Sequence, residues 1–472
     1  MNYDKIYMNG AWVPSSGSDL IEVENPANEE IIGSVPASNE EDINEAVKSA
    51  KEAFSTWKES SIEERICYVE KILEEMRKVE DEMAQIISME LGCPLKFAKD
   101  AHVVPYLKDM KNFLSIAKDY KFEEDHGRYI VRKEPIGVIG ALTPWNYPLG
   151  QILLKLTPAL LAGNTLVLKP SKQTPLIAYK LTEAIHRAGL PKGVFNLVPG
   201  RGSEVGNILS KHEDVDMVSF TGSTDGGREV SKLAVDGIKK IALELGGKSP
   251  SVILKGADYN LAVKRTLSSI FMNVGQSCSA FSRLLVPRED KEKIEKMIVE
   301  KAKDFVFGDP SDPATMVGAL ASAKQFEKVK YYINKGLEEG AKLLIGEVPK
   351  KTKGYYVGPT VFTDVDNSME IAQNEIFGPV LCLIAYDTVE EAIEIANDTV
   401  YGLSSAVFGP EKEAHEFANK IRAGEVSVNK GSSLLKAPFG GYKHSGVGRE
   451  GGQFGFEEFL EIKAIFVYSP SS

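Results

Sequence analysis

The chain has 472 residues, 43% apolar and 26% charged, ordinary values for folded protein and a length that suggests about three domains. Such a composition excludes a largely disordered or collagen-like chain. Lys plus Arg number 56 against 67 Asp plus Glu, a net charge of −11, which argues against a general nucleic-acid binder but leaves room for a local basic pocket.

Residues 5–35 read as short strands with a turn at Asn9-Gly10. Residues 40–119 read as long amphipathic helices. Ile43, Ala46, Val47 and Ala50 recur at helical spacing, as do Ile62, Ile66, Val69 and Leu73. Ser38 with Glu41 three residues later predicts a capping box. Residues 135–154 carry no charge over 20 positions, but Pro135, Pro144 and Pro148 break any membrane-spanning helix. That stretch is expected in a buried core.

From residue 127 to about 246, apolar strands at 129–131, 137–139, 165–168, 194–198 and 216–220 alternate with helices, the clearest at 175–188. Strand, turn and helix in repetition predict a parallel sheet with helical crossovers. Residues 247–430 repeat the alternation, with strands at 251–254, 284–286 and 380–385 and helices at 289–305 and 389–396. A last apolar strand, 464–468, would be an exposed edge if unpaired and is expected to find a partner.

Cysteine and histidine usage limits the chemistry. Cys67, Cys93, Cys278 and Cys382 form no C-x-x-C pair, and the six histidines form no ligand cluster. No metal and no disulfide framework are expected, and a reducing, cytoplasmic setting is the simplest reading. Residues 1–14 lack the apolar stretch of a signal peptide.

Three short strings could carry catalysis. Asn273-Val274-Gly275-Gln276-Ser277-Cys278-Ser279-Ala280 sets one cysteine among small residues that permit close approach. A thiolate attacks carbonyl carbon well, although a free cysteine is as often a buried structural one. Cys67, Cys93 and Cys382 fit the structural reading better. Glu244-Leu245-Gly246-Gly247-Lys248 ends an apolar strand with a carboxylate before two glycines, a suitable place for a general base, although a lone glutamate is more often simply solvated. Pro144-Trp145-Asn146-Tyr147-Pro148 holds an amide that could stabilise an oxyanion, or could be a rigid aromatic core turn. Two glycine turns follow strands, Gly200-x-Gly202-x-x-x-Gly206 and Gly222-Ser223-Thr224-Asp225-Gly226-Gly227. The first is one residue too long for the usual dinucleotide fingerprint, and either could open a helix toward a phosphate.

Together and in order, these strings resemble the NAD(P)-dependent aldehyde dehydrogenase superfamily, in its non-acylating branch. The resemblance runs from Asn9-Gly10-x-Trp12 through Pro144-Trp145-Asn146, Lys169-Pro170-Ser171, Phe220-Thr221-Gly222-Ser223-Thr224 and Glu244-Leu245-Gly246-Gly247-Lys248. It continues through Gly275-Gln276-x-Cys278 and Glu375-Ile376-Phe377-Gly378-Pro379 to Pro438-Phe439-Gly440-Gly441-x-Lys443-x-Ser445-Gly446. It implies an α/β fold of two parallel-sheet domains and a small β oligomerisation arm. The cofactor domain would take residues 1–120 and 142–246, the catalytic domain 247–430, and the arm 121–141 with 455–472. A homodimer or homotetramer is implied.

The same resemblance assigns roles. Cys278 would form a thiohemiacetal with the aldehyde, Asn146 and the Cys278 amide would hold the oxyanion, a hydride would pass to the nicotinamide, and Glu244 would activate water against the thioester. NAD or NADP would lie along Trp145, Lys169, Ser171, Lys172, Gly202, Phe220, Gly222, Ser223, Leu245, Gly246, Glu375 and Phe377. The substrate side would include Tyr147, Lys155, Ser277 and Ser279. Lys172 departs from the pattern: many NAD-preferring relatives have glutamate there to accept bonds from the ribose hydroxyls. A lysine cannot accept them but can pair with a 2′-phosphate. The 430–436 loop, with a lysine at each end, suggests polar or acidic aldehydes, whereas Tyr147, Leu154 and Phe281 suggest an apolar tunnel. A CoA-acylating relative and a silent binding or structural protein on the same scaffold stay as alternatives.

Overall fold

The computed structural model describes residues 1–432 and 434–467. Two mixed sheets, mostly parallel, carry the two main cores. The first orders its strands as 446–447, 240–244, 217–221, 138–142, 165–169, 195–197, 5–8 and 11–14. The second orders 342–345, 360–363, 380–386, 281–287, 249–253, 404–408 and 425–428. Val138–Leu142 and Thr165–Lys169 are buried at every position, as parallel strands covered on both faces must be. That is why these strands read as unbroken apolar runs in the sequence rather than as alternations.

The uncharged stretch around residue 145 divides between a buried strand, a loop and the helix Pro148–Ala162, which is buried along its whole length. Proline starts that helix at a position where its missing N–H costs nothing. Among the described residues no helix is long and apolar enough to cross a membrane.

The first long helix, Glu40–Trp57, buries Ile43, Ala46, Val47 and Ala50. Its capping box lies one residue beyond the expected Ser38–Glu41 pair. Asn39 accepts from the Asp42 amide at 3.1 Å, and Asp42 accepts from the Asn39 amide at 3.1 Å. Asp42 departs from the usual Glu or Gln of that pattern, and it is the residue that also accepts from Ser15 and Ser16. In the next helix, Ile62–Lys78, Cys67 is exposed rather than buried, because the face that packs inward carries Arg65, Val69, Ile72 and Met76.

The C-terminal strand Leu460–Phe466 pairs antiparallel with Tyr129–Pro135, which pairs in turn with Glu123–Asp125. It stops two residues short of the expected end, and residue 468 lies outside the described residues. A feature the periodicity does not predict is the two-residue strand Gly446–Val447. It returns to the first sheet, where Gly446 faces Glu244 across an antiparallel pair.

Candidate active site

The chain passes from the first sheet to the second between Glu244 and Ser249. Beside that crossing lies a cleft of about 500 Å³ whose lining includes Trp145, Asn146, Lys169, Ser171, Lys172, Phe220, Gly222, Ser223, Glu244, Leu245, Gly246, Cys278, Glu375 and Phe377. Catalytic candidates spread over 133 residues of sequence thus line one cleft.

Cys278 follows the irregular turn Met272–Gly275, at the end of the helix Tyr259–Phe271. Burial, then the nearby carboxylates of Glu244 and Glu375, push its thiol far above the ordinary range. The resting group is therefore a thiol. Asn146 is buried and donates from Nδ2 to the Gln276 carbonyl at 3.0 Å. An amide NH₂ has a second N–H, which this contact leaves free. The Tyr147 hydroxyl and Ser277 Oγ lie 2.7 Å apart, so two expected substrate-side residues already hydrogen-bond each other. The Ser279 backbone N–H lies beside the Cys278 sulfur and favours its charged form.

Glu244 ends the strand Lys240–Glu244. Its buried carboxylate has no hydrogen-bond partner among the described residues. Burial first, then Glu450, raises its pKa well above the carboxylate range, while Lys155 and Arg449 oppose that rise. A Cβ at Gly440 would stand 2.5 Å from Glu244 Oε1, so only glycine leaves the carboxylate its place. Ser445 secures the turn that follows: its carbonyl accepts from the Leu245 amide at 2.9 Å and its hydroxyl donates to the Gly246 carbonyl at 2.7 Å.

Lys155 does not line the cleft. It is 1% exposed, paired with Glu450, and donates to Thr221 Oγ1 at 2.7 Å. Glu450, which no local pattern points to, is the carboxylate that pairs with Lys155 and acts on Glu244. It lies 295 positions from Lys155 in a glycine-rich stretch with no periodicity, and only its place just beyond the Gly440-to-Gly446 string could have drawn attention to it.

On the other wall, Glu375 Oε1 accepts from the Gly247 amide at 3.0 Å. A Cβ at Gly246 would approach Glu375 Oε2 to 2.6 Å, so this glycine is what lets the two loops meet. Phe377 holds a left-handed φ of 59°, an outlier for a bulky residue. Gln325, which no local pattern points to either, holds it there by donating to the Ile376 and Phe377 carbonyls at 3.2 and 2.6 Å. The Phe377 ring meets Trp145 edge to face at 5.4 Å.

Lys169 is buried, and desolvation together with neighbouring Lys172 pulls its ammonium down to about 8. Ser223 caps the helix Thr224–Val235. Gly202 is not among the cleft residues. It is exposed in the wide turn Gly202–Gly206, with open space where a Cβ would be. Among the described residues no group of three metal-type side chains is found.

Comparisons with known proteins show which family the chain resembles in sequence and fold. Residues 12–465 match the model of the aldehyde dehydrogenase family. A putative aldehyde dehydrogenase of Staphylococcus saprophyticus is 45% identical over 471 residues, covering 99% of both chains. Aldehyde dehydrogenase C of Pseudomonas syringae, a cysteine-to-alanine mutant crystallised with NAD+ and octanal, superposes with a TM-score of 0.97 at 44% identity, over 99% of this chain and 98% of that one. Betaine aldehyde dehydrogenase of Staphylococcus aureus in complex with NAD+ superposes with a TM-score of 0.93 at 36% identity, over 98% and 94% of the two chains. With sequence, fold and cleft in agreement, the chain belongs to the aldehyde dehydrogenase family and is an enzyme of aldehyde oxidation.

Proposed function

We propose that this enzyme oxidises an aldehyde to a carboxylate without CoA, through a thioester on Cys278. The observation that carries the reading is the single cleft that gathers a thiol, a free amide N–H and an unpaired buried carboxylate. The Cys278 thiol releases its proton to water in the cleft as Sγ bonds to the carbonyl carbon, and the carbonyl oxygen takes up negative charge at the free N–H of Asn146 and a backbone amide. Such donors count because they meet charge that develops only in the transition state. The nicotinamide cofactor, when bound, is the oxidant that takes two electrons and a proton from that carbon. Glu244 accepts a proton from the water that attacks the thioester, and the Cys278 sulfur leaves as the carboxylate forms.

The cleft suits a dinucleotide. The helix Thr224–Val235 opens onto it, and helix N-termini favour pyrophosphate. Lys169 offers a buried cation with no ion pair among the described residues, and Glu375 offers an acceptor for a ribose hydroxyl. Lys172 is exposed and likewise free of an ion pair among the described residues. It also borders an adjoining cavity of about 630 Å³ with Arg201, Lys324, Glu22 and Glu24. Gly202 would act only through this neighbour Arg201.

We infer that Lys172 lets the enzyme use NADP well. An exposed ion pair stabilises by ~1 kcal/mol at most, about fivefold in affinity. Lys172→Glu is therefore expected to raise the NAD-to-NADP ratio of kcat/KM by up to about fivefold, read from steady-state cofactor reduction. An unchanged ratio would place Lys172 in solvent.

The three-part domain division follows from the same reading, with the strands 123–125, 129–135 and 460–466 as the arm. Leu460–Phe466 lies at a sheet edge with Ile462 72% and Phe466 82% exposed, and Lys342–Ile345 and Glu425–Val428 are the outer strands of the second main sheet. Open apolar edges of this kind favour a homo-oligomer, dimer or tetramer. A reducing cytoplasm would keep Cys278 as a free thiol. The test of the main reading is reduced-cofactor formation from a simple aliphatic aldehyde with NAD and NADP and no CoA. Turnover supports it; turnover only after CoA is added moves the enzyme to the acylating branch.

A further inference from the structure

The turn before Cys278 is unusual. Asn273 (φ 53°, ψ 25°) and Val274 (φ 57°, ψ 31°) are both left-handed, and Gly275 follows at φ 68°. A β-branched residue in that region is a genuine outlier, and such outliers persist only where the surroundings enforce them. The enforcement here is a set of hydrogen bonds centred on one amide. Asn273 Nδ2 donates to the Asn146 carbonyl at 3.0 Å and to the Gln276 carbonyl at 3.2 Å. The Gln276 carbonyl is the same oxygen that receives Asn146 Nδ2. Gln276 Nε2 donates back to the Asn273 carbonyl at 3.2 Å, and Gln276 Oε1 accepts from the Ala321 amide at 2.9 Å.

Behind this amide stands His102, fully buried, on the wide helical segment Ala98–Val103. Its ring stacks on Tyr147 at 4.6 Å and 18° and faces Asn273. Both of its ring nitrogens and Asn273 Oδ1 lack a well-formed hydrogen bond among the described residues. Burial lowers the His102 pKa to about 3, so the ring is neutral and one nitrogen carries a proton that a small rotation would turn toward Asn273.

We propose that Asn273 is a positioning residue for the reaction. Its amide fixes the Gln276 carbonyl and the Asn146 backbone together, and so sets the direction in which the free N–H of Asn146 points. His102 supports that amide from the opposite side. The inference deepens the proposed function and rests on Asn146 as the oxyanion donor. It explains why a strained turn stands directly before the nucleophile: the left-handed Asn273 is the conformation that lets one side chain span both loops.

The experiment compares the wild type with Asn273→Gly, which keeps the left-handed backbone accessible and removes the amide. Four quantities are read: the rate of the first turnover of cofactor reduction, the aldehyde KM, the rate of Cys278 alkylation by iodoacetamide, and NAD affinity. Loss of alignment at a reacting group costs about 10- to 100-fold, so the first-turnover rate is expected to fall by about that factor. KM, NAD affinity and alkylation should stay within about threefold, since alkylation forms no oxyanion. A folded variant whose first turnover stays within threefold of wild type overturns the proposal, as does a parallel loss of all four quantities. Should Asn273→Gly fail to fold, His102→Phe carries the test, since it keeps the stack on Tyr147 and removes the nitrogens. It is expected to slow the first turnover by about threefold or more with alkylation unchanged, and an unchanged first turnover overturns the proposal. Absence of first turnover in the wild type would instead overturn the reading of the cleft.

Discussion

Replacing Cys278 with alanine is expected to abolish aldehyde oxidation while leaving NAD affinity within about twofold. The thiol is the most nucleophilic group lining the cleft, and removing a nucleophile of this kind typically costs about 10⁴-fold or more in kcat. The substitution removes one sulfur and adds no bulk. The other cysteines cannot substitute for it: Cys93 and Cys382 are buried elsewhere and Cys67 is exposed on the helix Ile62–Lys78. Steady-state rates and a cofactor titration on the same preparation check both halves of the prediction. Retained activity would remove Cys278 from the chemistry.

The second large effect belongs to Glu244→Gln. Oxidation runs in two half-reactions, and Glu244 serves only the second. The variant should still reduce about one equivalent of cofactor per active site and then stall, with steady-state kcat lower by about 10²- to 10⁴-fold. The wild type should also show a pH signature. Burial and Glu450 hold the Glu244 carboxyl protonated beyond the ordinary carboxylate range, and a general base works only when deprotonated. Hydrolysis should therefore rise with pH over an interval displaced to the alkaline side of a free glutamate, and the Gln variant should lose that limb. A variant with no first equivalent would give Glu244 a part in the first half-reaction as well.

How much of this was legible in the sequence depends on how far each feature depends on neighbours in the chain. Fully buried strands such as Val138–Leu142 and Thr165–Lys169 show as apolar runs, because parallel sheets leave them no polar face. Asn146, Glu244 and Cys278 stand out because each is a reactive type framed by proline, glycine or other small residues. Their convergence on one cleft is a property of the folded chain.

Other features depend on partners that local pattern does not contain. Lys155 looks like a free site lysine until Glu450, 295 residues away, meets it in the interior. Asn273 reads as one polar residue in a short string, and nothing local announces a left-handed backbone or a side chain that reaches Asn146. The capping box falls one residue beyond Ser38–Glu41 because Asn39 and Asp42 offer a second register, in which Asp42 also holds Ser15 and Ser16.

The most direct test of the central claim is the mass of the intact Glu244→Gln enzyme after mixing with NAD and an aliphatic aldehyde, followed by mapping of the modified peptide. The expected result is one acyl group per chain, lacking the two hydrogens that oxidation removes from a simple aldehyde adduct, attached at Cys278. No adduct in a variant that has reduced its equivalent of cofactor, or an acyl group on any other residue, would contradict it.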